Sequence, residues 1–193
     1  MDPIYAFVFA GLFSPGPNVI LLTASGARFG FQRTLPHVFG VAFGVGIIAA
    51  LAGLGVASLL RAEPVLTFGL KIVAAAWILW MAWKLWNADL SQTNRSEAER
   101  PFTFLQAVLF QWVNPKLWAV ALAAAVGYSA GLSPIGEAQR LAMVFAGINL
   151  FVCLFWSFAG SLLAYLLTSP LAASIFTKTM ALALAVSAVM VFA

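Results

Sequence analysis

Apolar residues gather in six long runs, at roughly 3–24, 38–60, 65–86, 104–126, 141–166 and 176–192, parted by short segments of charged and turn residues. A helix needs about 20 apolar residues to cross a bilayer, and each run comes close to that. Lipid offers backbone N–H and C=O groups no partners, and the runs are too long for barrel strands, so they predict six transmembrane helices. The connections are 25–34, 61–64, 87–103, 129–140 and 169–177. The longest separates a first repeat, 1–86, from a second, 104–193, with 87–103 as a polar linker inside one membrane domain.

The two halves echo each other in order. Ala10-Gly-Leu-Phe13 precedes a proline break in the first run, and Ala107-Val-Leu-Phe110 precedes one in the fourth. Gln32-Arg33 leads into the second run with Gly40 beyond it, and Gln139-Arg140 leads into the fifth with Gly147 at the same distance. Three spans per half turn the second copy upside down, which is a transporter signature. The expected fold is an all-α integral membrane protein of six transmembrane helices in two inverted three-helix repeats.

Composition narrows the class. The chain is 63% hydrophobic and 8% charged, against about 45–50% and about 25% in soluble domains, which excludes a water-soluble fold. The net charge of +4 comes from scattered Lys and Arg with no basic cluster, so it reads as membrane topology and not as a nucleic-acid surface. Arg28, Arg33, Lys84, Arg95, Arg100 and Lys178 fall in or beside the odd connections, against Arg61 and Arg140 in the even ones. That excess puts the odd connections in the cytoplasm and both termini outside. Met1-Asp2-Pro3 lacks a basic leader, so the first run is expected to stay as a span. Trp77, Trp80, Trp83 and Trp86 step by three along the third run, a drifting series that reads as lipid-facing and interfacial. Cys153 is the single cysteine, which excludes a disulfide and reads as a small buried hydrophobe. No metal and no cofactor is expected.

Candidate chemistry sits where the helices break. Ser14-Pro15-Gly16-Pro17-Asn18 falls mid-way along the first run and Asn114-Pro115-Lys116 mid-way along the fourth. Proline removes a donor and clashes with the carbonyl four residues earlier, so each break frees carbonyl oxygens. Two breaks in corresponding helices point to a binding site between the halves. A lysine near the midplane costs about 2.5–3.5 kcal/mol on insertion scales, and no Asp or Glu lies deep in a run to pair with Lys116. Lys116 is therefore expected to face a wet cavity and meet an anionic group of the cargo. The amides of Asn18, Gln111, Asn114 and Asn149 can donate to a carboxylate and accept from an ammonium. Lys71 and Lys178, nearer the run ends, read as snorkelling. Gly40 and Gly44 form a helix-packing stripe, and the pattern leaves open whether the partner is the same chain or a second copy in a homodimer. His37 is the only histidine; it is either a proton-coupling group or an interfacial structural residue.

At these residues the chain resembles the lysine exporter (LysE/RhtB) family of amino-acid exporters. The likeness rests on Pro15-Gly-Pro-Asn18 in the first of six spans, Asn114-Pro-Lys116 in the fourth, and the stretch from Gly30 to Gly40. It covers essentially the whole chain. The resemblance implies a multi-pass carrier of the bacterial cell inner membrane, with the two motifs in the family's motif positions. The expected function is export of small neutral or apolar amino acids by alternating access, since a cationic cargo would want a carboxylate that the spans lack. An exporter of another small metabolite or drug stays open, as does a non-transporting membrane assembly subunit. A membrane enzyme is disfavoured, because one histidine and no deep acid leave little to build a catalytic centre from.

Overall fold

A computed structural model describes residues 2–55, 64–87, 100–166 and 169–189. Among them are eight helices and no strand: α1 (Pro3–Phe13), α2 (Pro17–Phe29), α3 (Phe31–Gly53), α4 (Pro64–Trp86), α5 (Phe104–Trp112), α6 (Pro115–Gly127), α7 (Pro134–Leu166) and α8 (Pro170–Val189). Six of these begin on proline, at Pro3, Pro17, Pro64, Pro115, Pro134 and Pro170. The first helical position has no intrahelical acceptor for its N–H, so proline costs nothing there and its fixed φ favours the turn. Side chains cap several starts. The Asp2 carboxylate accepts from Ile4 N–H at 3.1 Å, and Thr103 and Gln106 cap α5 reciprocally.

By length and composition α3, α7 and α8 can each cross a membrane, and α1 and α2, bent by 59° at the break between them, are long enough only as a pair. The expected connections shrink. Between α2 and α3 the supposed loop 25–34 is helical except for Gly30, whose φ of 82° lies where a side chain is strained. Pro134 starts α7 and Pro170 starts α8, so Glu137, Arg140 and Lys178 are helical rather than in loops. Polar residues ended the apolar runs without ending the helices, because a helix's first turns tolerate charge once they leave the lipid. Arg61, Glu63, Asp89, Arg95, Glu97, Glu99 and the Lys71 side chain lie outside the described residues.

Helix α3 packs along α7 at the centre, with α1, α2 and α6 around this pair and α4 against α8. One apolar core joins Ile4, Val8, Val45, Ile48, Leu117, Leu141 and Phe145, and a second joins Ile20, Ile78, Met81, Phe110 and Leu184. Glycine sets the closest crossings. A Cβ on Gly26 would strike the Ser157 backbone, and one on Gly160 would strike the Thr23 backbone, so α2 and α7 touch main chain to main chain. Gly40 and Gly44 lie against Phe104, Ala107, Val108 and Gln111 of α5 in the same chain. Trp77, Trp80, Trp83 and Trp86 are all exposed.

Candidate functional site

The two breaks meet. Helix α1 ends at Phe13, and Ser14, Pro15 and Gly16 run extended to Pro17 at the start of α2. Helix α5 ends at Trp112, and Asn114 caps α6 by accepting from Leu117 N–H at 3.4 Å. Across the junction Asn18 and Gln111 exchange two amide hydrogen bonds: Asn18 Nδ2 donates to Gln111 Oε1 at 2.8 Å, and Gln111 Nε2 donates to Asn18 Oδ1 at 3.1 Å. Asn114 Nδ2 adds a longer one to Gln111 Oε1 at 3.4 Å. Gln111 is fully buried, and its amide also donates to the Ala107 carbonyl.

Lys116 completes the junction, with partners its sequence context did not reveal. Its ammonium donates to the Ser14 carbonyl, to Ser14 Oγ at 2.9 Å and to the Pro15 carbonyl at 3.2 Å. The counter-charge that no acid supplies is replaced by carbonyl dipoles freed at the other break. In this conformation the ammonium is engaged by these three oxygens. Gly16 permits the approach, since a Cβ there would sit 2.7 Å from Lys116 Cδ. At the second break the freed Trp112 carbonyl accepts from the Trp118 indole at 3.0 Å.

Ser14, Pro15, Gly16, Pro17, Asn18, Gln111, Asn114, Pro115 and Lys116 thus form one cluster, and Asn149 of α7 joins it at the small gap lined by Gly16, Pro17, Asn18, Asn114 and Lys116. Asn149 Nδ2 is buried and has no hydrogen-bond partner among the described residues. The gap holds about 20 Å³, and one water needs about 10–15 Å³ by the same measure. An amino acid does not fit the gap in this conformation.

His37 is not part of this cluster. It lines a separate cavity of about 330 Å³ with Ser25, Arg28, Lys84, Arg100 and Phe102. Its ring is buried, lies 5.1 Å from that of Phe102, and neither nitrogen has a partner among the described residues.

A profile of the LysE type translocators matches residues 9–193. The chain belongs to that family. It is 34% identical over 110 residues to an uncharacterized membrane protein of Pseudomonas aeruginosa, covering 53% of this chain and 51% of that one. It is 28% identical over 118 residues to the cysteine/O-acetylserine efflux protein of Salmonella typhimurium, covering 61% and 59%. Against the cysteine/O-acetylserine efflux protein of Escherichia coli O1:K1 / APEC it is 28% identical over 170 residues, covering 80% and 85%. The chain spans between half and three-fifths of the length of the first two relatives. No solved structure matches. The family match and the apolar helices make the chain a multi-pass membrane protein.

Two groupings in this chain escaped the sequence reading. Arg140 donates to Asp2 Oδ2 at 2.7 Å and to Glu137 Oε2 at 3.4 Å. Glu137 Oε1 in turn accepts from Ser129 Oγ, Ala130 N–H and Leu132 N–H. The network ties the cap of α1 to the α6–α7 turn. The Ile4 N–H, then the Arg140 guanidinium, hold the Asp2 carboxyl below its ordinary 3.8. The three-residue spacing of Glu137 and Arg140 was the available signal. The second grouping is the basic cavity itself, whose cations come from three separate chain segments.

Proposed function

We propose that the chain exports amino acids across the bacterial inner membrane, through six spans in two inverted repeats that rock about the junction of the broken helices. The observation that carries this is the pairing of Lys116 with the Ser14 and Pro15 carbonyls beside the Asn18–Gln111–Asn114 amides. Donors and acceptors of both signs converge there from two interrupted helices, as a zwitterion requires. A cargo carboxylate competes for the Lys116 ammonium and for Asn149, while its ammonium takes the carbonyls that Lys116 gives up. Exchange of one set of partners for another lets the junction open without leaving buried groups unpaired.

Mirrored packing supports the repeat. Pairing α1 with α5, α2 with α6, α3 with α7 and α4 with α8 turns the α1–α7 and α2–α7 contacts into α5–α3 and α6–α3, which also occur. Relatives named as cysteine/O-acetylserine efflux proteins support an amino-acid cargo. The junction lining contains no Asp or Glu among the described residues, which favours neutral side chains over lysine or arginine. The excess of Arg and Lys at the odd connections sets those connections in the cytoplasm.

Expression followed by metabolite profiling of the medium tests the reading. Accumulation of small neutral amino acids or their derivatives, abolished by Lys116→Ala and Asn18→Ala, is the expected result. No cargo-dependent efflux, or a preference for lysine or arginine, would overturn it.

A further inference from the structure

A second cavity lies away from the junction, and its described lining is one-sided in charge. The cavity of about 330 Å³ falls in the size range of small-molecule sites, which run to about 300–1,000 Å³. Leu21, Met81, Leu85 and Phe102 give it an apolar wall. Lys84 and Arg100 stand on its rim, both exposed. Lys84 rests over the Trp80 ring at 4.1 Å, a contact that holds an ammonium in place without neutralising it. Among the described residues no Asp or Glu lines the cavity.

His37 supplies the second, independent observation. Its side chain is 2% exposed, and both ring nitrogens lack partners among the described residues. A buried imidazole always carries at least one N–H, and leaving that donor unsatisfied is unfavourable. Ser25 Oγ, which also lines the cavity, is engaged with Thr34 Oγ1 at 3.1 Å and makes no hydrogen bond to the ring. What the imidazole N–H wants is an acceptor that the described residues do not supply.

We propose that this cavity is a vestibule for a small carboxylate, in which Lys84 and Arg100 draw in the anionic group, the His37 N–H hydrogen-bonds to it, and the Leu21, Met81, Leu85 and Phe102 wall receives an apolar body. With cations and no acid among its described lining residues, it favours ligands with a net negative charge, such as N-acylated amino acids, over zwitterions. The inference goes beyond export of neutral amino acids and stands without it. By the positive-inside rule the vestibule opens on the cytoplasmic side.

Isothermal titration of the full chain in phosphatidylcholine nanodiscs tests it, with N-acetylalanine, alanine and alaninamide as anionic, zwitterionic and cationic probes. N-acetylalanine is expected to bind at least about ten-fold more tightly than alanine, with alaninamide weakest. The double variant K84Q/R100Q should lose about ten-fold of the N-acetylalanine affinity while melting like the parent, and K84R/R100K should retain it. Raising salt from about 0.05 to about 0.5 M should weaken binding more in the parent than in K84Q/R100Q, which keeps Arg28. His37→Phe should weaken the anion and leave alaninamide unchanged. Equal binding of the three probes, no binding of any, or indifference to K84Q/R100Q overturns the vestibule. If phosphatidylglycerol in the nanodisc displaces N-acetylalanine, the cavity belongs to lipid headgroups and the small-carboxylate assignment falls. Efflux without charge-ordered binding removes the vestibule and leaves transport intact; charge-ordered binding without efflux does the reverse.

Discussion

Lys116 shows how much one side chain can close. Its ammonium spans the two breaks and meets three oxygens of Ser14 and Pro15. Lys116→Met keeps the stem and removes the donors, so thermal unfolding in detergent should report a loss of about 1–3 kcal/mol, together with loss of efflux. The Asn18–Gln111 amide pair makes a cleaner measurement. A double-mutant cycle of Asn18→Ala and Gln111→Ala should return a coupling of about 0.5–3 kcal/mol, and additive effects would show that the two amides act separately. The sequence displayed the members of this cluster because proline, asparagine and lysine are conspicuous in apolar runs. It did not display the pairing of Lys116, since its acceptors are main-chain carbonyls, which leave no mark in a side-chain pattern. For the same reason the orphaned His37 could be noticed but not located: its neighbours Phe102, Arg100 and Lys84 lie far along the chain.

At the scale of helices, close approach is set by glycine and direction by proline. Gly26→Ala and Gly160→Ala each drive a methyl into backbone of the facing helix. Each should destabilise the fold by about 1–3 kcal/mol, seen as a lower melting temperature. Gly16→Ala meets only the flexible end of Lys116, so it should lower melting no more than Lys116→Met does and still impair efflux by displacing that side chain. The apolar runs revealed most of these helices, because burial and lipid demand the same residues. Their edges were less legible. Pro134 and Pro170 looked like loop residues, yet they open helices whose first turns carry polar groups. The stretch 25–34 looked like a connection because it holds Arg28 and Arg33, although Gly30 alone turns the chain.

Across the whole molecule, the tie from Asp2 through Arg140 to Glu137 fastens one end of the first half to the second. The Asp2 carboxyl titrates below 3.8 in the folded chain. A depressed carboxylate stabilises above its unfolded value, and that contribution disappears as pH falls through the folded one. The melting difference between the parent and Asp2→Asn should therefore hold steady from about pH 5 to 8 and vanish at stronger acid. The α7 helix carries a different consequence. Its 33 residues reach about 50 Å at 1.5 Å per residue, against a hydrocarbon core of about 30 Å. Lying wholly within lipid would demand a lean of about 50°, beyond the roughly 0–40° that spanning helices adopt. The rod must stand proud of the membrane, which is how Glu137 and Arg140 belong to it and still reach water. Longer acyl chains would right it and shorter ones lay it over, swinging the Gly160 crossing either way. Bilayer thickness thereby becomes a dial on how closely α2 and α7 are held together.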